Sequence, residues 1–61
     1  MSLKETRIKN GFTQEQLARK VNVSLRTYQN IERRNDTTVK IAKEISRVFG
    51  ETIEEIFRDG K

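Results

Sequence analysis

The chain has 61 residues, with 13 Lys and Arg against 9 Asp and Glu for a formal net charge of +4, and it contains neither cysteine nor histidine. Without them it has no disulfide, no thiolate to hold a metal, and neither the commonest general base nor the commonest metal ligand, which argues against an enzyme and against any metal or cofactor. Hydrophobic residues make up 33% of it and none form a run near the ~18 a membrane helix needs; no charged-then-apolar leader precedes them, so the cytoplasm is the expected compartment.

A chain this short forms at most one domain, here spanning 1–61, and buries only roughly 60% of the surface its unfolded form exposes. Its charge is unevenly spread. Residues 1–50 hold 11 basic and 5 acidic side chains, whereas residues 51–61 hold 2 and 4. The body therefore attracts a polyanion and the C-terminal end faces away from it.

No segment alternates apolar and polar residues long enough for a strand, so the expected fold class is all-α. Ser2 can cap a first helix running to about Asn10, and Gly11 ends it. Thr13 to Gln16 form a capping box that opens a second helix to about Val21, with Leu17, Ala18 and Val21 on one face. Asn22 tolerates positive φ and suits a tight turn. Ser24 caps a third helix through Arg33, with Tyr28 and Ile31 inward, and Asn35 and Asp36 mark a short loop. Thr38 caps a fourth helix, with Val39, Ala42, Ile45 and Phe49 at helical spacing before Gly50. Thr52 to Glu55 form another capping box and open a last short helix with Ile53, Ile56 and Phe57; Gly60 follows. Each helix is marginal alone, so stability rests on a shared cluster. The expected core is Leu3, Phe12, Leu17, Ala18, Val21, Val23, Tyr28, Ile31, Val39, Ala42, Ile45, Phe49 and Ile53.

Residues 13–33 carry the most information. Two helices packed steeply across a short turn need a small residue where the backbones approach, and Ala18 supplies it. Asn22 supplies the turn, Val23 plugs it from beneath, and Leu17, Val21, Tyr28 and Ile31 supply the inner faces. An ordinary helical hairpin needs the apolar spacing but not this whole set. The window reads as a helix-turn-helix.

FTQEQLARKVNVSLRTYQNIERR, followed by IAKEISRVFGETIEEIF, resembles the Cro/C1-type (XRE-like) helix-turn-helix family, which includes the small phage repressors and Cro proteins. The likeness runs from Leu3 to Phe57, with Asn22 where the family usually has glycine. It implies a compact five-helix, lambda-repressor-like domain that binds double-stranded DNA, commonly as a homodimer, and regulates transcription. It also implies a backbone contact for Gln14 at the start of the second helix, where free N–H groups favour an anion. The third helix is expected in the major groove with Leu25, Arg26, Gln29 and Asn30 facing bases. Arg grips guanine O6 and N7, Asn and Gln grip adenine N6 and N7, and Leu25 can touch a thymine methyl. Ser24, Thr27, Arg33, Arg34, Asn35 and Lys40 are expected along the sugar-phosphate backbone. By the same resemblance, Arg7 and Glu32 join the first and third helices through a structural ion pair near the core.

The expected function is thus a sequence-specific transcriptional regulator, a repressor reading a palindromic operator as a homodimer, with Ile56 and Phe57 as a self-complementary patch. The alternative is an antitoxin that binds DNA with a similar domain and also holds a toxin partner. A Mg²⁺ nuclease would have to use Glu54, Glu55 and Asp59, acids at a helix end whose ordinary role is solubility.

Overall fold

The five helices of the described residues begin in the same way. Ser2, Thr13, Ser24, Thr38 and Thr52 all have extended backbone, and each side-chain oxygen accepts the N–H three residues on, at Glu5, Gln16, Thr27, Ile41 and Glu55. Each such cap satisfies one of the N–H groups that a helix start leaves without a partner. Glu5, Gln16 and Glu55 reach back to the cap N–H, completing three capping boxes. Those at Thr13 and Thr52 are the ones the sequence predicts; Ser2 and Glu5 make the third.

The computed structural model describes residues 2–58, and within them it has α1 (Leu3–Lys9), α2 (Gln14–Lys20), α3 (Leu25–Arg34), α4 (Val39–Phe49) and α5 (Ile53–Phe57), with no strand. Asp59 and Gly60 lie outside the described residues. No helix in the described residues is long and apolar enough to cross a membrane, and they contain no cluster of three or more acidic metal ligands. Chain reversals fall where positive φ is needed: Asn35 (φ 54) closes α3 and Gly50 (φ 69) closes α4, each in the left-handed conformation. The Gly50 N–H donates to the Ser46 carbonyl at 2.8 Å, so the last turn of α4 is satisfied as it ends.

α2 packs against α3, α4 against α5, and α1 against α5. Between them lie Leu3, Leu17, Tyr28, Ile45 and Ile56, all fully buried, with Ala18, Val21 and Ile31 close by and Ala42 also buried. Phe12, Val23, Ile41, Val48, Phe49 and Phe57 pack on this cluster from its margin. The Phe12 and Phe49 rings meet edge to face, with centroids 5.6 Å apart, a favoured aromatic geometry.

Val39, Ile53 and Ile56 lie differently from what their spacing predicts. Val39 is 67% exposed. It is the first residue of α4, whose buried stripe is set by Ile41, Ala42, Ile45, Val48 and Phe49, so Val39 falls beside the stripe. Ile53 is 36% exposed because α5 has five residues and turns only Ile56 fully inward. Ile56, expected on an open self-association patch, is therefore a core residue at 0% exposure. Phe57 is half-buried against the core.

Candidate nucleic-acid interface

The link between α2 and α3 is short and tied back to α2 by hydrogen bonds. Asn22 takes φ 60, its N–H donates to the Arg19 carbonyl at 3.2 Å, and the Val23 N–H donates to the Ala18 carbonyl at 3.0 Å. Ala18 is 2% exposed, so a larger side chain there would press the two helices apart. Val23 lies half-buried under the turn against the core. This fixes the angle at which α3 leaves the body.

Tyr28 and Ile31 hold the inner face of α3 in the core. The spacing of 3.6 residues per turn then sends Leu25, Arg26, Gln29 and Arg33 outward, and all four are exposed. Together with half-buried Gln14 and Asn30 they line a shallow cleft of about 770 Å³ running along α3. An Arg33 guanidinium nitrogen donates to Asn30 Oδ1 one turn back. Among the described residues no carboxylate forms a salt bridge with Arg26, Arg33, Arg34 or Lys40, so their charges are available to an outside anion. Arg34 lines a neighbouring cleft with Thr27, Asn30 and the Asp36–Thr38 loop. Lys40 sits further on, beside the Asn22 turn and Glu44.

Beneath this face lies a polar knot. Arg7 Nε donates to Glu32 Oε2 at 2.8 Å, and Arg7 Nη1 donates to the Phe12 carbonyl at 2.8 Å. The Tyr28 hydroxyl donates to Glu32 Oε2 at 2.7 Å, and Gln14 Nε2 donates to Glu32 Oε1 at 2.8 Å. The Arg7 and Glu32 side chains are only 11% and 6% exposed. Burial by itself raises the Glu32 carboxyl, but the hydrogen bonds from Arg7, Tyr28 and Gln14 together hold it below the usual carboxylate range. The hydrogen bond to Glu32 raises Arg7, and burial, followed by the bond to Glu32, pushes the Tyr28 phenol well above its ordinary value. No buried side-chain polar atom in the described residues lacks a partner.

A helix-turn-helix family model matches residues 3–56. The chain belongs to the Cro/C1-type helix-turn-helix family of DNA-binding transcriptional regulators. Among curated relatives it is 43% identical to an uncharacterized HTH-type transcriptional regulator of Methanocaldococcus jannaschii, an alignment covering 90% of this chain and 85% of that protein. Two uncharacterized HTH-type transcriptional regulators of Archaeoglobus fulgidus are 41% and 39% identical over the same share of this chain, covering 79% and 80% of their own lengths. No solved structure gives a significant match.

Within this Cro/C1-type domain the sequence-derived residues fall into distinct groups. Gln14, Leu25, Arg26, Gln29, Asn30 and Arg33 share one cleft, whereas Arg34 and Lys40 line two others. Ser24 and Thr27 are exposed and partly occupied: Ser24 Oγ accepts the Thr27 N–H at 3.1 Å and donates to Thr27 Oγ1 at 2.9 Å. Asn35, expected on the sugar-phosphate backbone, is used inside the fold instead. Its Oδ1 accepts the Leu3 N–H at 2.9 Å and its Nδ2 donates to the Phe57 carbonyl at 3.0 Å. Its amide thereby ties the start of α1 and the end of α5 to the end of α3, leaving little to offer DNA.

Two residues have larger parts than the sequence reading gave them. Tyr28 was placed in the core, and its hydroxyl is also a ligand of Glu32; the signal was their i, i+4 spacing, which puts both on one face of α3. Gln14 was read as facing DNA, and it also reaches Glu32. Nothing in the sequence brings residues 14 and 32 together; only the packing of α2 on α3 does.

Proposed function

We propose that the chain is a transcriptional repressor that reads a palindromic operator through the major groove, with α3 as the reading helix and two copies bound per site. The observation that carries this is the cleft along α3. Gln14, Arg26, Gln29, Asn30 and Arg33 present amide and guanidinium groups on one exposed surface, the groups that address base edges and phosphates. Leu25, 42% exposed in the same cleft, adds an apolar contact suited to a thymine methyl. The excess of basic residues before residue 51 supports the same orientation, with acidic Glu51, Glu54 and Glu55 carried at the other end.

Two copies are needed for a geometric reason. The domain measures 29 Å along its longest axis, while paired recognition helices on one face of DNA stand about 34–36 Å apart. One domain covers a half-site, and a half-site gives weak discrimination against a genome of competing sequences. With Ile56 in the core, the apolar surface left on α5 for pairing is Ile53 and the outer part of Phe57.

Selection of bound duplexes from a random pool tests this directly. The expected result is an inverted repeat with half-sites one helical turn apart, bound by two protomers in sedimentation. Recovery of a single unrepeated motif bound by one protomer would end the dimeric reading, and recovery of no motif would end the sequence-specific one. Repression is tested separately, by a reporter placed behind the selected site: its expression is expected to fall when the protein is supplied.

A further inference from the structure

Gln14 joins the buried ion pair to the exposed face of α3. Its Nε2 donates to Glu32 Oε1 at 2.8 Å, and its Oε1 accepts from Gln29 Nε2 at 3.3 Å. The direction of this chain of hydrogen bonds is fixed at its inner end. An ionised carboxylate can only accept, and Glu32 receives donors from Arg7, Tyr28 and Gln14. Gln14 must therefore turn its nitrogen inward and its oxygen outward. An amide oxygen likewise only accepts, so Gln29 must turn its nitrogen toward Gln14. One N–H of Gln29 is then engaged, and its second N–H and its oxygen remain. Those two groups form the donor-acceptor pair that matches N7 and N6 of adenine.

A glutamine alone on an exposed helix face can rotate its amide and offer either order of donor and acceptor. Fixing one order costs rotamer freedom on binding, and pre-setting it in the free protein removes part of that cost. The Gln14–Gln29 bond is exposed and so counts for little in water. Once docked DNA excludes the water around it, the same bond strengthens.

We propose that Glu32 and Gln14 are positioning residues for base readout: the buried carboxylate sets, through Gln14, the orientation in which the Gln29 amide meets DNA. The inference rests on the reading of α3 as the base-reading helix. Its consequence is that the base preference owed to Gln29 depends on residues 14 and 32, which lie at the start of α2 and on the inner side of α3.

The test is the bound-sequence profile from a random duplex pool for wild type, Gln29→Ala, Gln14→Met and Glu32→Gln, with folding of each checked by circular dichroism. Gln29→Ala identifies the base pair it reads, where wild type is expected to favour adenine by roughly tenfold. Gln14→Met keeps the length of the side chain and leaves the Arg7–Glu32 pair in place, but has no polar end to hold Gln29. It is expected to cut the adenine preference to about two- to threefold while preferences at the other base pairs stay as they were. Glu32→Gln, where it folds, is expected to act at the same base pair, because Arg7 and Tyr28 hold its amide oxygen and its nitrogen is then left to face Gln14, which must turn its own amide around. If Gln14→Met weakens every sequence by one factor with the adenine preference intact, Gln14 is a backbone or packing residue and the proposal is overturned. A wild-type preference that Gln29→Ala does not alter overturns it too, while leaving α3 as the reader. A wild type that selects no sequence overturns both.

Discussion

The inner and outer faces of α3 treat their polar atoms in opposite ways. Inward, Tyr28 and Glu32 have every polar atom matched, and the one carboxylate takes hydrogen bonds from three side chains on α1, α2 and α3 itself. Outward, Arg26, Gln29, Asn30 and Arg33 present donors and acceptors with few internal partners. A single ten-residue helix thus carries two kinds of energy. The inner face stores stability in geometry that water cannot compete for, whereas the outer face leaves its bonding capacity for a ligand. Substitutions on the first should change how well the protein folds, and substitutions on the second should change what it binds.

The largest expected effect is on the inner side. Glu32→Ala leaves the Arg7 guanidinium buried without its partner, and removing one member of a buried pair costs about 3–5 kcal/mol. Urea unfolding should show that loss. The pair also gives stability a definite pH dependence. Glu32 titrates below its unfolded value in the fold, so its contribution is present above the unfolded pKa, about 4.3, and is lost as pH falls through the lower folded value. Tyr28 is displaced upward, so its contribution is full below the unfolded value of about 10 and is lost as pH rises beyond it. A stability profile that stays flat below about pH 4 in wild type would break the contrast between the faces.

On the outer side, Arg26→Ala should leave the unfolding midpoint within error and cost about 1–3 kcal/mol on the best operator, mainly at one base pair. Arg34, in the neighbouring cleft, sharpens the comparison. Its removal should weaken binding to all duplexes alike and reduce the salt slope by about one unit. If Arg26→Ala also acts uniformly, it contacts phosphate, and readout rests on Leu25, Gln29 and Asn30.

The smallest effect belongs to the exposed ion pair on α2. Arg19 Nη2 lies 3.6 Å from Glu15, with side chains 82% and 67% exposed. Arg19→Ala should change stability by less than ~1 kcal/mol. A loss comparable to that of Glu32→Ala would mean that burial is not what separates the two pairs.

Much of this was legible in the residues themselves. Ser and Thr caps, turn residues at Gly11, Asn22, Asn35 and Gly50, and helical apolar spacing are local signals, and all five helices follow from them. The outer face of α3 was legible for the same reason, because once Tyr28 and Ile31 are inward the rest of the helix is placed. What escaped was set by contacts between distant segments. Ile56 rather than Ile53 faces the core because of how α5 lies on α1 and α4, which the pattern of a five-residue helix cannot fix. Asn35 was read as a polar loop residue near DNA, and only the convergence of Leu3 and Phe57 turns its amide inward. The Gln14–Glu32 contact spans 18 positions and leaves no trace in spacing. The Arg7–Glu32 pairing was expected from family resemblance, not from periodicity.

The claim that the outer face of α3 is the DNA-reading surface is tested most directly by nuclear magnetic resonance. The ¹⁵N-labelled protein would be titrated with a duplex carrying its selected site. The largest shifts are expected at the side-chain amides of Gln14, Gln29 and Asn30 and at the backbone from Leu25 to Arg34. Small shifts are expected around Asn10, Phe12, Arg19 and Lys20, which line a separate cleft between α2 and the loop that precedes it. Shifts centred on that second cleft, with α3 undisturbed, would contradict it.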